Sequence, residues 1–317
     1  MTGDAPDRWI HRLADALTGW QRPDGGWAYY APGESATEPT ALAVAALWGL
    51  TAAPAAVARG LDFLASQQVD GGALRPAPSY RDATALSALA GVVLARCGEP
   101  RHAQVAAQVA DALLAWEPQS WKSTADDRVT FGNDTQLKGF CWTPETYSWV
   151  EPTAYGVLLC DGLHRGTLPR VVESRRLLVD RAIPSGGWNY GNPKVFGTVL
   201  EPDAMTTAIA IVALLDDASR PCVQRGADFL RRVGVRQASA VTAGWSMAAL
   251  RALGDDPPAD ALPGLIDGAQ IAHDSPWHAA LAILATLPAV RHPLIDRGRG
   301  ATSAPAAATN GAAPRER

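Results

Sequence analysis

The chain alternates between two kinds of apolar segment. One kind sets charged residues along one face of a 3.6-residue period: 8–20, 54–68, 101–116, 169–181, 221–233 and 259–272. The other is almost free of charge and rich in alanine and leucine: 40–50, 83–95, 153–163, 203–215, 241–253 and 276–287. A helix with a polar face can sit against water, whereas one that is apolar all round must be covered on every side. The pattern predicts six outer and six inner helices. β-Branched and aromatic runs with period-two alternation are scarce, so the chain reads as all-α.

Helical hairpins that alternate in this way close most simply into a ring, the inner helices lining a central cavity and the outer ones wrapping them. An open solenoid is the alternative, and it normally carries polar caps at both ends. Glycine turns lead from outer to inner helices at Asp24-Gly25-Gly26, Asp70-Gly71-Gly72 and Ser185-Gly186-Gly187, where positive φ is tolerated. All inner-helix N-termini then point to one end of the ring. A single domain over 1–296 is expected. The Ala-, Gly-, Pro- and Ser-rich tail over 297–317 has too little to bury to hold a fold.

Residues 59–73, RGLDFLASQQVDGGA, resemble the QW repeat of the squalene and oxidosqualene cyclases and of protein prenyltransferase β subunits. Partial copies run from Trp20 to Trp27 and from Ser174 to Trp188, and Arg225-Gly226-Ala227-Asp228-Phe229-Leu230 repeats the first half. The resemblance covers most of residues 8–287. It implies an (α/α)6 toroid of the terpenoid cyclase and prenyltransferase superfamily, with an isoprenoid or other apolar molecule as substrate. In that family the repeat's tryptophan, here Trp27 or Trp188, is a bracing residue.

Aligning the inner helices on their Thr-Ala-Leu starts places Glu38, Asp82, Glu151 and Glu201 at equivalent positions near the N-caps. A carboxylate there complements the helix dipole, for about 0.3–1 kcal/mol. Shorter side chains cap better, so repeated glutamates point to a use for the longer reach. The expectation is an acidic arc at the cavity mouth that attracts a developing cation. In squalene cyclases and class II diterpene cyclases an inner helix opens with a DxDD-like motif whose middle aspartate is the general acid. Glu201-Pro202-Asp203-Ala204 resembles a degenerate form that lacks the last carboxylate. The resemblance thus implies Asp203 as proton donor with Glu201 beside it, provided burial raises the Asp203 pKa. Tyr29, Trp142, Tyr147, Trp149, Tyr190 and Trp277 are candidate wall residues, each ring face worth about 0.5–2 kcal/mol to a cation. His278 joins them at the start of the last inner helix. The insertion over 117–150 reads as a lid or binding segment at the same end.

Charge excludes some functions. A formal net charge of −4 leaves no footprint for nucleic acid. No uninterrupted apolar run reaches membrane-spanning length, and residues 1–17 do not read as a signal peptide. The 4 cysteines show no CxxC spacing, which speaks against a disulfide frame or structural zinc and for a cytoplasmic protein. Cys160-Asp161 reverses the Asp-x-Cys zinc ligands of protein prenyltransferases, and Asp126-Asp127 is not followed by the spacing of a DDxxD magnesium motif. No metal and no cofactor are expected. Cys97-Gly98-Glu99-Pro100 resembles the thioester motif of complement-type toroids, but proline stands where the reactive glutamine is required. Two other readings need only the same cavity: a non-catalytic toroid that binds a lipid or a protein partner, and a glycan-processing ring that uses two carboxylates.

Overall fold

The computed structural model describes residues 4–122, 124–236, 239–256 and 274–295. The outer helix expected over 259–272 and the tail lie outside the described residues. In chain order the helices are α1 (Asp4–Gly19), α2 (Thr37–Gly49), α3 (Pro54–Ser66), α4 (Leu86–Cys97), α5 (Pro100–Ala115), a short α6 (Ala125–Phe131), α7 (Val150–Gly162), α8 (Pro169–Asp180), α9 (Ala204–Ala213), α10 (Pro221–Arg232), α11 (Ala240–Ala252) and α12 (Pro276–Thr286). A two-stranded hairpin, β1 (Lys194–Val195) and β2 (Thr198–Val199), precedes α9.

Each inner helix packs on the next in the order α2, α4, α7, α9, α11, α12, and α12 packs back on α2. That last contact closes the ring, so the architecture is an (α/α)6 toroid and not a solenoid. Composition explains the layering. α2 is buried without a break from Pro39 to Leu47, and α9 from Thr206 to Ala213, as a helix without a polar face requires. Among the described residues no helix is long and apolar enough to cross a membrane.

The repeat motif holds the two layers together. The Trp27 indole N–H donates to the Leu17 carbonyl and that of Trp188 to the Leu178 carbonyl, both at 2.6 Å, tying each ring to the end of the preceding outer helix. The next outer helix lies over the same ring. A Cβ at Gly60 would fall 2.8 Å from Trp27, and one at Gly226 2.8 Å from Trp188, so only glycine fits there. The turn glycines Gly25 and Gly186, at φ of 90° and 112°, press against the carbonyls of Arg59 and Arg225. Gln21 and Gln68 donate to the carbonyls of Gly25 and Gly72, each at 2.9 Å.

A second device fixes the register at the start of the inner helices. The backbone N–H groups of Trp27, Leu74, Phe140 and Trp188 donate to the hydroxyls of Thr40, Ser87, Thr153 and Thr207, and each hydroxyl faces the same residue's carbonyl. The first three pairs are 13 residues apart and the fourth is 19 apart. The longer fourth connection contains the β1–β2 hairpin, which carries an exposed Phe196 at its tip.

These latches correct the sequence alignment. Counting back from the hydroxyls, Glu38 and Glu151 are equivalent, but the corresponding residues of the second and fourth repeats are Ala85 and Met205, not Asp82 and Glu201. The Thr-Ala-Leu match had slipped by one helical turn in those repeats.

Candidate functional site

The loops that lead into the inner helices are stitched edge to edge around one end of the ring. Ala31 N–H donates to the Asp274 carbonyl, Thr37 to Pro76, Ala85 to Trp142 and Val150 to Tyr190, at 2.8, 2.8, 2.9 and 2.9 Å. Two hydroxyls join the same belt, Ser275 Oγ donating to the Tyr29 carbonyl and Thr37 Oγ1 to that of Arg75, both at 2.6 Å.

Glu38, in the first turn of α2, and Glu151, in the first turn of α7, lie close enough for the charge of one to act on the other although α4 stands between their helices. The equivalent residue, the N-cap of α4, is the uncharged Ala85. Burial pushes the Glu38 carboxyl above its ordinary pKa; the Tyr29 hydroxyl, donating to Oε2 at 2.5 Å, and the Trp277 indole pull the other way. Glu151 is pushed up to about 7, first by burial, then by the charge of Glu38, with a smaller contribution from Asp203, while Tyr155 opposes the shift. The helix N-termini favour the ionised forms, and burial outweighs them. Tyr29 is pushed up too, by burial and then by Glu38.

Both carboxyls are thus pushed the same way, upward, and the charge of either one raises the proton affinity of the other. Two carboxyls that share a buried site do not both ionise readily, so the pair holds a proton near neutral pH.

One turn below Glu151, Tyr155 of α7 meets Trp245 of α11 across the inner face of α9, with ring centroids 6.3 Å apart, and both are buried. This aromatic plug lies inside the ring, one turn below the carboxyls. The Glu38 and Glu151 carboxyls, Tyr155, and the rings of Tyr29 and Trp277, which pack edge to face at 5.6 Å, form one cluster at the mouth, called the bowl here. The Tyr155 hydroxyl and the Trp277 indole N–H face the carboxyls without a hydrogen bond of ordinary geometry. Unpaired buried donors of this kind call for an explanation.

The other sequence candidates are dispersed. Asp203 caps α9, accepting from the Thr206 N–H at 2.7 Å, and its charge reaches Glu151 and Tyr190. Glu201 and Asp82 are exposed, outside the bowl. Tyr190 is largely exposed, with its pKa raised first by the Asp203 charge. Tyr147 and Trp149 are exposed on the rim and line a separate cavity. Trp142 is half-buried and reaches the belt through its carbonyl. His278 is half-buried, its Nδ1 2.8 Å from Ser275 Oγ, and its ring packs on Trp277. Burial lowers its pKa. Among the described residues, no group of three or more His, Cys, Asp or Glu side chains is placed to hold a metal. Sequence reasoning missed Tyr155 and Trp245. The signal was a large aromatic at mid-helix in two segments otherwise built from small residues.

The capping role of Asp203 carries a prediction. Asp203→Ala should cost about 1 kcal/mol of stability, the usual value of an N-cap side chain, read as a lower urea midpoint at unchanged slope. An unchanged midpoint would show that the cap contributes nothing.

No family model and no curated protein sequence matches this chain. Solved structures do resemble it. The type II terpene cyclase MstE from Scytonema matches at 14% identity and a TM-score of 0.52, over 84% of this chain and 77% of that one. The endo-beta-1,4-glucanase CMCax from Acetobacter xylinum matches at 14% identity and 0.55, over 89% and 98%. A protein from Actinoplanes matches at 18% identity and 0.52, over 84% and 80%. At such identities the likeness is one of fold, an α/α toroid common to cyclase-like and glycosidase-like structures. Function has to be argued from the site.

Proposed function

We propose that this protein is an acid catalyst in which Glu151 delivers a proton to a substrate oxygen bound in the bowl, and that the substrate is an epoxidised isoprenoid. The observation that carries the reading is a pair of buried carboxyls coupled across the mouth, with Glu151 pushed up to about 7 by burial and then by the charge of Glu38. A general acid works best when its pKa lies near the operating pH. A carboxyl weakened in this way suits transfer to oxygen better than to an alkene carbon, which demands a stronger acid.

The step is a simple one. The proton passes from Glu151 to the epoxide oxygen, the C–O bond breaks to leave a hydroxyl, and the electron-poor carbon is attacked by a neighbouring alkene π pair or by water. The carbocation or oxonium ion that results gives up a proton to the Glu38 carboxylate. The Glu38 carboxylate and the ring faces of Tyr29 and Trp277 surround that developing charge. The Tyr155 O–H and Trp277 N–H, which face Glu151 and Glu38, are placed to donate to the substrate oxygen as well. The proton donor implied by the sequence resemblance thereby moves from Asp203 to Glu151. Asp203 becomes a capping residue whose charge helps retain the proton on its neighbour.

A second reading rests on the same coupling. One protonated and one ionised carboxyl at a single site are the requirement for glycoside hydrolysis, in which the acid protonates the leaving oxygen. Mass spectrometry separates the two. Purified protein is incubated with polyprenyl chains from farnesyl to squalene length, with their terminal epoxides, and with β-glucan and xylan oligosaccharides. The proposal expects isomerised or hydrated product from the epoxides, none from Glu151→Gln, and turnover retained by Asp203→Asn. Shortened oligosaccharides would establish the second reading. A bound lipid that is never transformed would leave a binding protein and remove both.

A further inference from the structure

The segment between α5 and α7 folds over a second cavity of about 310 Å3 that includes none of Glu38, Glu151 and Asp203 in its lining. Its volume falls at the lower end of small-molecule sites, which run from about 300 to 1,000 Å3. Its chemistry is unlike that of the bowl.

Three large rings face it while staying open to water: Trp121, Tyr147 and Trp149 are 40%, 48% and 40% exposed. Trp121 stands edge-on to Tyr147, with centroids 5.4 Å apart and planes at 81°, and edge-on to Phe131 at 6.0 Å and 80°. The rings thus build right-angled walls, not a parallel slot. Gln119 and Asn192 add side-chain amides, the first able to donate and accept, the second with its NH2 group, since its Oδ1 accepts from the turned Asn133 amide at 3.2 Å. Among the described residues, Arg181 is the only charged one in the lining, and its charge is already met. It donates to Asp180 Oδ2 at 2.9 Å and, with the Asn133 amide turned to satisfy its neighbours, to Asn133 Oδ1 at 3.0 Å.

We propose that this cavity binds a neutral saccharide, with ring C–H faces covering Trp121 and Tyr147 and hydroxyls meeting the Gln119 and Asn192 amides. Rings exposed in a concave site retain an apolar face for a ligand to cover, and the amides at their edge need a ligand with its own donors and acceptors. Sugars combine the two. An anion gains little where the one cation is already compensated. A nucleobase needs a parallel gap that right-angled walls do not supply. The room suits a mono- or disaccharide. The inference stands apart from the carboxyl-pair reading, since neither carboxyl belongs to this cavity.

Calorimetric titration of the whole chain with cellobiose, xylobiose, maltose and adenosine tests it, alongside NMR of the tryptophan indole signals. The expected result is saturable binding of at least one disaccharide at one site, with the Trp121 indole among the shifted signals. Trp121→Ala should weaken it by up to about tenfold, the worth of one aromatic contact, and Gln119→Ala should weaken it with no change in melting temperature. Glu151→Gln should leave the affinity unchanged. Binding of adenosine alone, no binding of any saccharide, or saccharide binding that survives both cavity variants and disappears in Glu151→Gln would each overturn the proposal. The Gln119 variant keeps the test decisive should Trp121→Ala unfold the segment. Loss of epoxide turnover in the wild type would bear only on the bowl.

Discussion

Glu151→Gln is expected to make the protein inactive and more stable at once. Removal of a general acid costs about 10²–10⁴ in rate. The stability effect follows from linkage. The folded-state pKa of Glu151, about 7, lies above its ordinary 4.5, so the folded protein holds this proton more tightly than the unfolded chain does. Its contribution to stability is fully present below about pH 4.5 and is lost as pH rises through about 7. At pH 8 the wild type buries a charge that the glutamine variant does not. The gap in pKa, from 4.5 to about 7, corresponds to at most about 3.5 kcal/mol, since each pKa unit is worth about 1.4 kcal/mol. Urea melts at pH 5 and pH 8 should show the variant gaining only at the higher pH. Wild-type turnover should fall on the alkaline side of about 7, where Glu151 loses its proton. Equal stability of the two proteins at pH 8 would mean that Glu151 is ordinarily ionised, and the proposed acid would be lost with it.

Opposite signs for activity and stability are what a site maintained against folding should give. The bowl has that character throughout. Two buried carboxyls stand close enough to raise each other's proton affinity, and neither has a cation among the groups that shift it. None of this would be retained by packing alone.

The toroid was legible in the sequence because burial on every side leaves a compositional mark. The charge-free segments all became inner helices, from α2 to α12, and the glycines of Arg59-Gly60 and Arg225-Gly226 marked where a tryptophan needs an outer helix without a side chain. The mouth was only half legible. Glu38 and Glu151 stood out as long acids where short caps would serve. Asp82 and Glu201 entered beside them because a Thr-Ala-Leu match cannot tell the latch hydroxyl from a threonine or alanine one turn away. The β1–β2 hairpin then hid the shift in the fourth repeat. The aromatic plug was harder still: Tyr155 and Trp245 are distant in sequence and on non-adjacent inner helices, and only ring closure brings them together. Proton affinity depends on that closure, so no local motif could report the raised pKa of Glu151.

Ring closure also decides where the fold is most vulnerable. Trp188→Ala should cost about 3–5 kcal/mol, the range for emptying a buried aromatic site. Trp188 is fully buried between α8 and α10 and holds the Leu178 carbonyl. Its removal leaves a void beneath Gly226, whose missing side chain cannot refill it, and strands the carbonyl at the end of α8. Gly226→Ala attacks the same contact from the other side. A Cβ there would sit 2.8 Å from the ring, an overpacking that costs about 1–3 kcal/mol. The two losses should not add, because the methyl group of the second variant fits the space vacated by the first. The double variant should therefore be at least as stable as Trp188→Ala alone, with a coupling on the order of 1 kcal/mol or more. Equilibrium urea unfolding of the four proteins measures it. Full additivity would show that the glycine and the tryptophan are independent, and that the repeat motif does not join the two layers as described.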